Sequence, residues 1–156
     1  MKINTRIKFI VRGALIAALY AVLTIILEPI SYGAIQCRIS EALTLLPFYI
    51  PEAIPGLLIG CIISNFYGGF GIADIVFGSA ATLLAAVCTS KFSKNIYIAA
   101  FYPVIFNALI IGTMLNLLTN APLLATIFYV GLGEAAACYI IGIPLMKILD
   151  SREILK

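Results

Sequence analysis

Apolar runs about as long as a bilayer is thick recur along this chain, and charged residues fall mainly between them. The pattern predicts an all-α membrane protein, a single integral domain over residues 1–156, with spans near 9–28, 38–50, 52–67, 72–90, 95–118 and 123–147. The first run, Phe9 to Leu27, follows Lys2, Arg6, Lys8 and Arg12 and superficially matches a secretory signal. It is too long for a signal core and further spans follow, so a retained helix is expected. The second span is short for a crossing, and "EPISYGAIQC" before it carries prolyl and glycyl punctuation in place of helical periodicity. Irregular backbone at membrane depth is tolerated only where it is buried in protein or lines a wet cavity, which predicts a cavity opening outward here. No internal repeat is visible, so the pseudo-symmetry of many secondary transporters is not supported.

Composition agrees: 63% of the 156 residues are hydrophobic, 11% are charged, and His and Trp are absent. A soluble domain of this size could not hide so much apolar surface. The net charge of +3 matters less than where the cations sit. Lys2, Arg6, Lys8 and Arg12 precede the first span, Lys91 and Lys94 separate the fourth from the fifth, and Lys147, Arg152 and Lys156 close the chain. Cytoplasmic segments attract Lys and Arg, so these three share one side and both termini are expected in the cytoplasm. "YGGFG" and "TNAP" then become outer turns, with "PFYIP" and "SKFSKN" inner ones; at "PFYIP" Pro47 and Pro51 break the helix without help from charge. Nucleic acid is not needed to explain the basic residues. Cys37, Cys61, Cys88 and Cys138 are widely spaced with no CxxC pair, and no His completes a zinc site; core filling is the expectation, with no metal and no cofactor.

Ionisable groups inside hydrocarbon cost on the order of 3 kcal/mol each near the bilayer centre, so Glu134 in "GLGEAAACYIIG" and Asp74 in "GIADIVFG" are functional candidates facing a polar interior. Asp74 also falls in the first turn of a predicted helix, where a carboxylate complements the dipole. Arg38 and Glu41, three apart, share a helical face at the cavity mouth, leaving open either an intrahelical ion pair or ligand contact. Glu52 after Pro51 reads as helix-start chemistry. Asn65 and Asn107 offer amides that either join helices or read a ligand. Phe66, Phe70 and Tyr32 are placed around the outer mouth, to stack on a flat guest or to anchor at the lipid interface. In the first span, Gly13, Ala17 and Ala21 form one small-residue stripe and Ala14 and Ala18 the neighbouring one, fit for close helix approach within this chain or to a separate membrane subunit. There is no GxxxxGK[ST] phosphate loop, no zincin motif and no nucleophile elbow, so neither ATP hydrolysis nor intramembrane hydrolysis is expected of this chain.

The runs "RISEALTLLPFYIPEAIPGLLIGCIISN", "GIADIVFGSAATLLAA" and "GLGEAAACYIIGIPL" resemble the QueT-type queuosine-precursor transporters, substrate-binding S components of energy-coupling factor (ECF) transporters, over nearly the whole chain. The resemblance implies about six helices, capture of substrate from outside a bacterial plasma membrane, and work with a transmembrane coupling subunit and two cytoplasmic ATPases. It assigns docking to the small-residue stripe around Ala14 and Ala18. It implies a 7-deazaguanine substrate: the aminomethyl or cyano precursor, or queuine. Glu134 would accept from the guanine-like edge, Asn107 or Arg38 would donate to the carbonyl, and Asp74 or Glu41 would meet an aminomethyl cation. The alternatives are an S component for another vitamin-like solute, a stand-alone secondary carrier, and a membrane enzyme acting on lipid, which lacks a visible nucleophile or metal cluster.

Overall fold

The computed structural model describes residues 5–32, 36–68 and 70–155; Lys2, Gly33, Ala34, Ile35, Gly69 and Lys156, which enter the charge and turn readings above, lie outside the described residues. The elements run α1 (Thr5–Ile26), α2 (Glu28–Ser31), a 3₁₀ helix (Ile39–Phe48), α3 (Ala53–Tyr67), a π-helical turn (Asp74–Gly78) continuing into α4 (Ser79–Phe92), α5 (Ile96–Thr119), and α6 (Leu123–Ala135). After α6 a second π segment (Ala136–Gly142) leads without a break into α7 (Ile143–Ser151). No strand occurs among the described residues.

Among the described residues four rods are long and apolar enough to cross a membrane: Arg6–Ile26, Asp74–Phe92, Ile96–Thr119 and Leu123–Ser151. Of the six predicted spans, the second changes in kind and the third is found as a helix, short for a crossing. The segment expected as a helix over 38–50 is a ten-residue 3₁₀ helix, roughly 20 Å long at about 2 Å rise per residue, against a hydrocarbon core of about 30 Å. Ser40 to Pro47 are all buried, so it presents no lipid face and serves as a plug around which the rods pack. The 52–67 segment becomes the 15-residue α3, also short for a crossing. For the 38–50 segment the burial that apolarity called for is in protein, whereas α3 keeps an exposed apolar side at Ile59, Ile63 and Phe66.

Close approach between α1 and α3 is enforced by glycine. A Cβ on Gly56 would lie 2.5 Å from the Gly13 carbonyl oxygen, and one on Gly60 would lie 2.8 Å from that of Ala17, distances at which the helices would have to separate. In lipid, where apolar side chains gain little by meeting, such backbone proximity is what holds helices together. The α5/α6 hairpin uses the same device, with Gly112 against the Ile127 backbone.

Polar residues repair what sequence breaks. Pro103 within α5 has no N–H for the Ala99 carbonyl; that carbonyl accepts from the Thr89 hydroxyl of α4 at 3.1 Å instead. Asn95 caps α5 through Oδ1, which accepts from Ile98 N–H at 2.9 Å. Asn120 ends the same helix in the left-handed region at φ 56°, a conformation Asn tolerates well. Glu52 precedes α3 without a side-chain capping bond. The largest core cluster gathers Tyr20, Leu45, Leu57, Cys61 and Met146. Cys61 and Cys138 are buried, Cys37 and Cys88 partly buried, and all four are free thiols.

Candidate functional site

The 3₁₀ helix carries its polar residues into the centre of the bundle. Arg38, at its N-terminal cap, is 2% exposed, and Glu41, one turn on, is fully buried. These two do not form the intrahelical pair their spacing permits. Arg38 reaches across to Asp74 at the head of the α4 rod, Nη2 donating to both carboxylate oxygens at 3.1 and 3.3 Å, while its Nη1 donates to Asn65 Oδ1 at 3.0 Å. Asn65 completes the knot by donating to the Asp74 backbone carbonyl at 3.0 Å, and the Tyr32 ring lies under the guanidinium with its centroid 5.0 Å away. Asp74 is therefore the counter-ion of Arg38, and both Asp74 oxygens are satisfied.

Glu41 is treated differently. Its Oε1 accepts from the Tyr20 hydroxyl of α1 and from the Thr82 hydroxyl of α4 at 3.2 Å, but its Oε2 is buried with no partner among the described residues. Glu134, on the last turn of α6, is 2% exposed and its Oε2 is likewise unpartnered. Cys138, one turn beyond Glu134, donates its thiol to the Glu41 backbone carbonyl at 3.6 Å, so the two open carboxylates share one region. Among the described residues the buried nitrogens Arg38 Nε and Gln36 Nε2 are unpartnered as well, as are the hydroxyls of Ser31, Ser79 and Ser93. Buried polar atoms nearly always find partners, so a concentration of open donors and acceptors in one neighbourhood is the signature of a site shaped for a guest.

The surroundings fit that reading. A cavity of about 410 Å³ is lined by Tyr32, Gln36, Phe70, Leu115, Thr126 and Tyr129, among others, at the end of the bundle that carries the 119–122 turn; Tyr32, under the Arg38 guanidinium, joins it to the polar cluster, while Glu41, Glu134, Arg38 and Asn107 are not among its lining residues. Phe70 and Tyr32 thus meet, whereas Phe66 is 73% exposed, its ring set edge-on to Tyr67. Asn107 is 2% exposed and donates to the Pro103 carbonyl at 3.1 Å. Because Gly131 faces Ala108 across the α5/α6 hairpin, Asn107 and Glu134 lie within about one helical turn of the same depth. The π segments Asp74–Gly78 and Ala136–Gly142 occur at or next to Asp74 and Glu134, and π turns inside α-helices gather at functional sites. Gly142 at the end of the second lets α7 close on the 3₁₀ helix, its missing side chain facing Ala42 Cα at 3.3 Å. Among the described residues no group of three or more acidic or cysteine side chains assembles that could hold a metal ion.

A profile described as "QueT transporter" matches residues 10–151. The chain belongs to the QueT transporter family. It is 34% identical over 158 residues to the "Queuosine precursor transporter QueT" of Lactococcus lactis subsp. cremoris (strain MG1363), with 92% of each chain covered. No solved structure matches. Membership of the QueT family makes this a transport protein and not an enzyme, and its four long apolar rods suit a multi-pass membrane protein.

Sequence reasoning missed three residues of the cluster. Tyr20 and Thr82 sit within apolar runs and carry no spacing signal; only the fold aims them at Glu41. Gln36 had a faint signal, an amide within the punctuated segment, and the structure adds a left-handed φ of 47°, a strained setting that clusters at ligand clamps. The small-residue stripes divide. Gly13 and Ala17 are used inside the protein against α3, and Ala21 is buried. Ala14 and Ala18 are exposed and line an apolar groove of about 470 Å³ with Ile10, Pro55 and Ile59, a groove that Gly13 and Ala17 line as well.

Proposed function

We propose that this chain is the substrate-binding S component of an ECF-type importer in a bacterial plasma membrane, taking up a 7-deazaguanine precursor of queuosine. The observation that carries the reading is the pair of buried, open carboxylate oxygens on Glu41 and Glu134; Tyr32, which packs on Arg38, also lines an aromatic-flanked cavity. A guanine-like edge presents a ring N–H beside an exocyclic amine, and one carboxylate accepts both in parallel, the role given to Glu134. Asn107 or the free Nε of Arg38 donates to the ring carbonyl, Phe70 and Tyr32 cover the ring face, and Asn65 and Asp74 hold Arg38 in place. Glu41 is the second acceptor, for an aminomethyl group where the substrate has one. The name of the Lactococcus lactis relative, a queuosine precursor transporter, supports the substrate class.

With both termini cytoplasmic, the mouth faces outward and the guest enters from outside. Energy comes from a transmembrane coupling subunit and two cytoplasmic ATPases, docked through the exposed Ala14 and Ala18 groove, with Gly13, Ala17 and Ala21 setting the helix pair that forms it. Uptake and binding of radiolabelled aminomethyl-7-deazaguanine test the reading. Glu134→Gln is expected to lose binding by about 100-fold, since a site built for hydrogen-bond donors rejects mismatched partners strongly. Wild-type affinity in that variant refutes the anchor, and ion-driven uptake by the isolated chain in liposomes refutes the S-component role.

A further inference from the structure

We propose that Tyr20 and Thr82 are positioning residues for ligand capture: from two different helices they clamp Oε1 of Glu41, so that Oε2 is held toward a hydrogen-bond donor of the guest. The proposal rests on the reading of the pocket given above and goes beyond it in naming what orients the second carboxylate.

Two fully buried carboxylates are satisfied in opposite ways. Asp74 is fully buried and both of its oxygens accept from Arg38, which is how a carboxylate that only holds a fold together is left. Glu41 is fully buried too, yet its donors converge on one oxygen and leave the other bare. A carboxylate with one donor can swing about its last torsion. Donors on the same oxygen from α1 and α4 triangulate it, and the direction of the second oxygen is then fixed.

The donors are themselves held. Tyr20 is fully buried, its Cβ close to where Gly60 lacks one, and the Thr24 hydroxyl one turn later meets the Ser40 hydroxyl at 2.6 Å, fastening α1 to the start of the 3₁₀ helix. Thr82 lies 3.3 Å from the Cys61 thiol, and Asn65 Nδ2 donates to that sulfur at 3.3 Å. With Thr82 donating to Glu41, the thiol donates to Thr82, and every proton in the chain Asn65, Cys61, Thr82 points toward Glu41. Since Asn65 also binds Arg38, the network ties the Arg38 knot to the open carboxylate. Chains of hydrogen bonds running one way in a low-dielectric interior reinforce each other.

Calorimetric binding of aminomethyl-7-deazaguanine to the purified chain in detergent tests this, using Tyr20→Phe, Thr82→Val, Thr82→Ser, Glu41→Gln and the Tyr20→Phe/Glu41→Gln double variant. Tyr20→Phe and Thr82→Val are each expected to weaken binding by about tenfold, the scale of a hydrogen bond to a charged group, and Thr82→Ser to stay within about twofold of wild type because the hydroxyl is kept. In the Glu41→Gln background, Tyr20→Phe should add less than about twofold, because the group it orients is gone. Wild-type affinity in both single variants overturns the proposal. So does a Tyr20→Phe loss that is equally large without Glu41, which assigns Tyr20 to packing alone. If Tyr20→Phe does not yield a monodisperse protein, the Thr82→Val and Thr82→Ser pair decides by itself: equal affinities overturn the proposal. A wild-type chain that does not bind the deazaguanine overturns the function reading, and this proposal with it; normal wild-type binding with unaffected variants overturns this proposal only.

Discussion

Removing Asp74 tests the physics on which the centre of this bundle depends. In Asp74→Ala, Arg38 keeps its hydrogen bond to Asn65 and its place over the Tyr32 ring but loses its only ion-pair partner among the described residues, at 3% side-chain exposure. Coulomb attraction across 3.1 Å at an effective dielectric of about 20 is roughly 5 kcal/mol. Breaking a buried pair by removing one partner destabilises measured proteins by about 3–5 kcal/mol. The remaining Asn65 and Tyr32 contacts place the expected loss near the lower figure, about 3 kcal/mol, a fall in melting temperature of about 10 °C for a chain of this size. With no Trp present, the sensible reporter is thiol exposure: Cys61 and Cys138 are fully buried and react with a fluorogenic maleimide only on unfolding, once the partly buried Cys37 and Cys88 are replaced by Ala. The double variant Arg38→Met/Asp74→Leu should recover most of the loss, since a buried pair exchanged for apolar side chains of similar volume is often neutral. A single Asp74→Ala variant that melts within about 1 °C of the parent would refute the argument that Arg38 depends on this carboxylate.

Two further outcomes follow from the packing. Gly56→Val should separate α1 from α3, because even a first carbon would lie 2.5 Å from the Gly13 carbonyl oxygen; a loss of about 2–3 kcal/mol is expected from such overpacking, read by the same thiol melt, and an unchanged melt would show that the helix pair can yield. Thr89→Val removes the donor that serves the Ala99 carbonyl left open by Pro103, so a loss of about 1–3 kcal/mol is expected; if restoring the backbone donor with Pro103→Ala does not shrink that loss, the repair account is wrong.

Several parts of this molecule were legible in the residues alone. Long apolar runs gave helices within a few residues over α1, the α4 rod and α5, because in hydrocarbon the backbone must satisfy itself locally. The carboxylates Asp74 and Glu134 stood out because burying such groups is expensive wherever the chain folds, and Glu41 through its spacing from Arg38. The motifs were specific enough to indicate a family that the profile match then established. The fate of 38–50 was not legible: apolarity calls for removal from water but does not say whether lipid or protein does the removing, and only the surrounding rods make Ser40 to Pro47 interior.

The same limit applies to the site. Spacing alone placed Arg38 and Glu41 on one face, but which carboxylate neutralises the guanidinium depends on where the α4 rod delivers Asp74, a partner 36 residues away in sequence. Likewise, nothing local to Tyr20 or Thr82 points at Glu41; three helices must converge before those hydroxyls have anything to donate to. The small residues of α1 were visible as stripes, yet only the packing of Gly56 and Gly60 decides that Gly13 and Ala17 set the contact with α3, while they also line the groove beside the exposed Ala14 and Ala18. Sequence by itself determined what has to leave water and which charges need company. Tertiary structure decided who provides the company, because hydrogen bonds and ion pairs act over about 3 Å and adjacency at that range between distant residues is a property of the packed bundle.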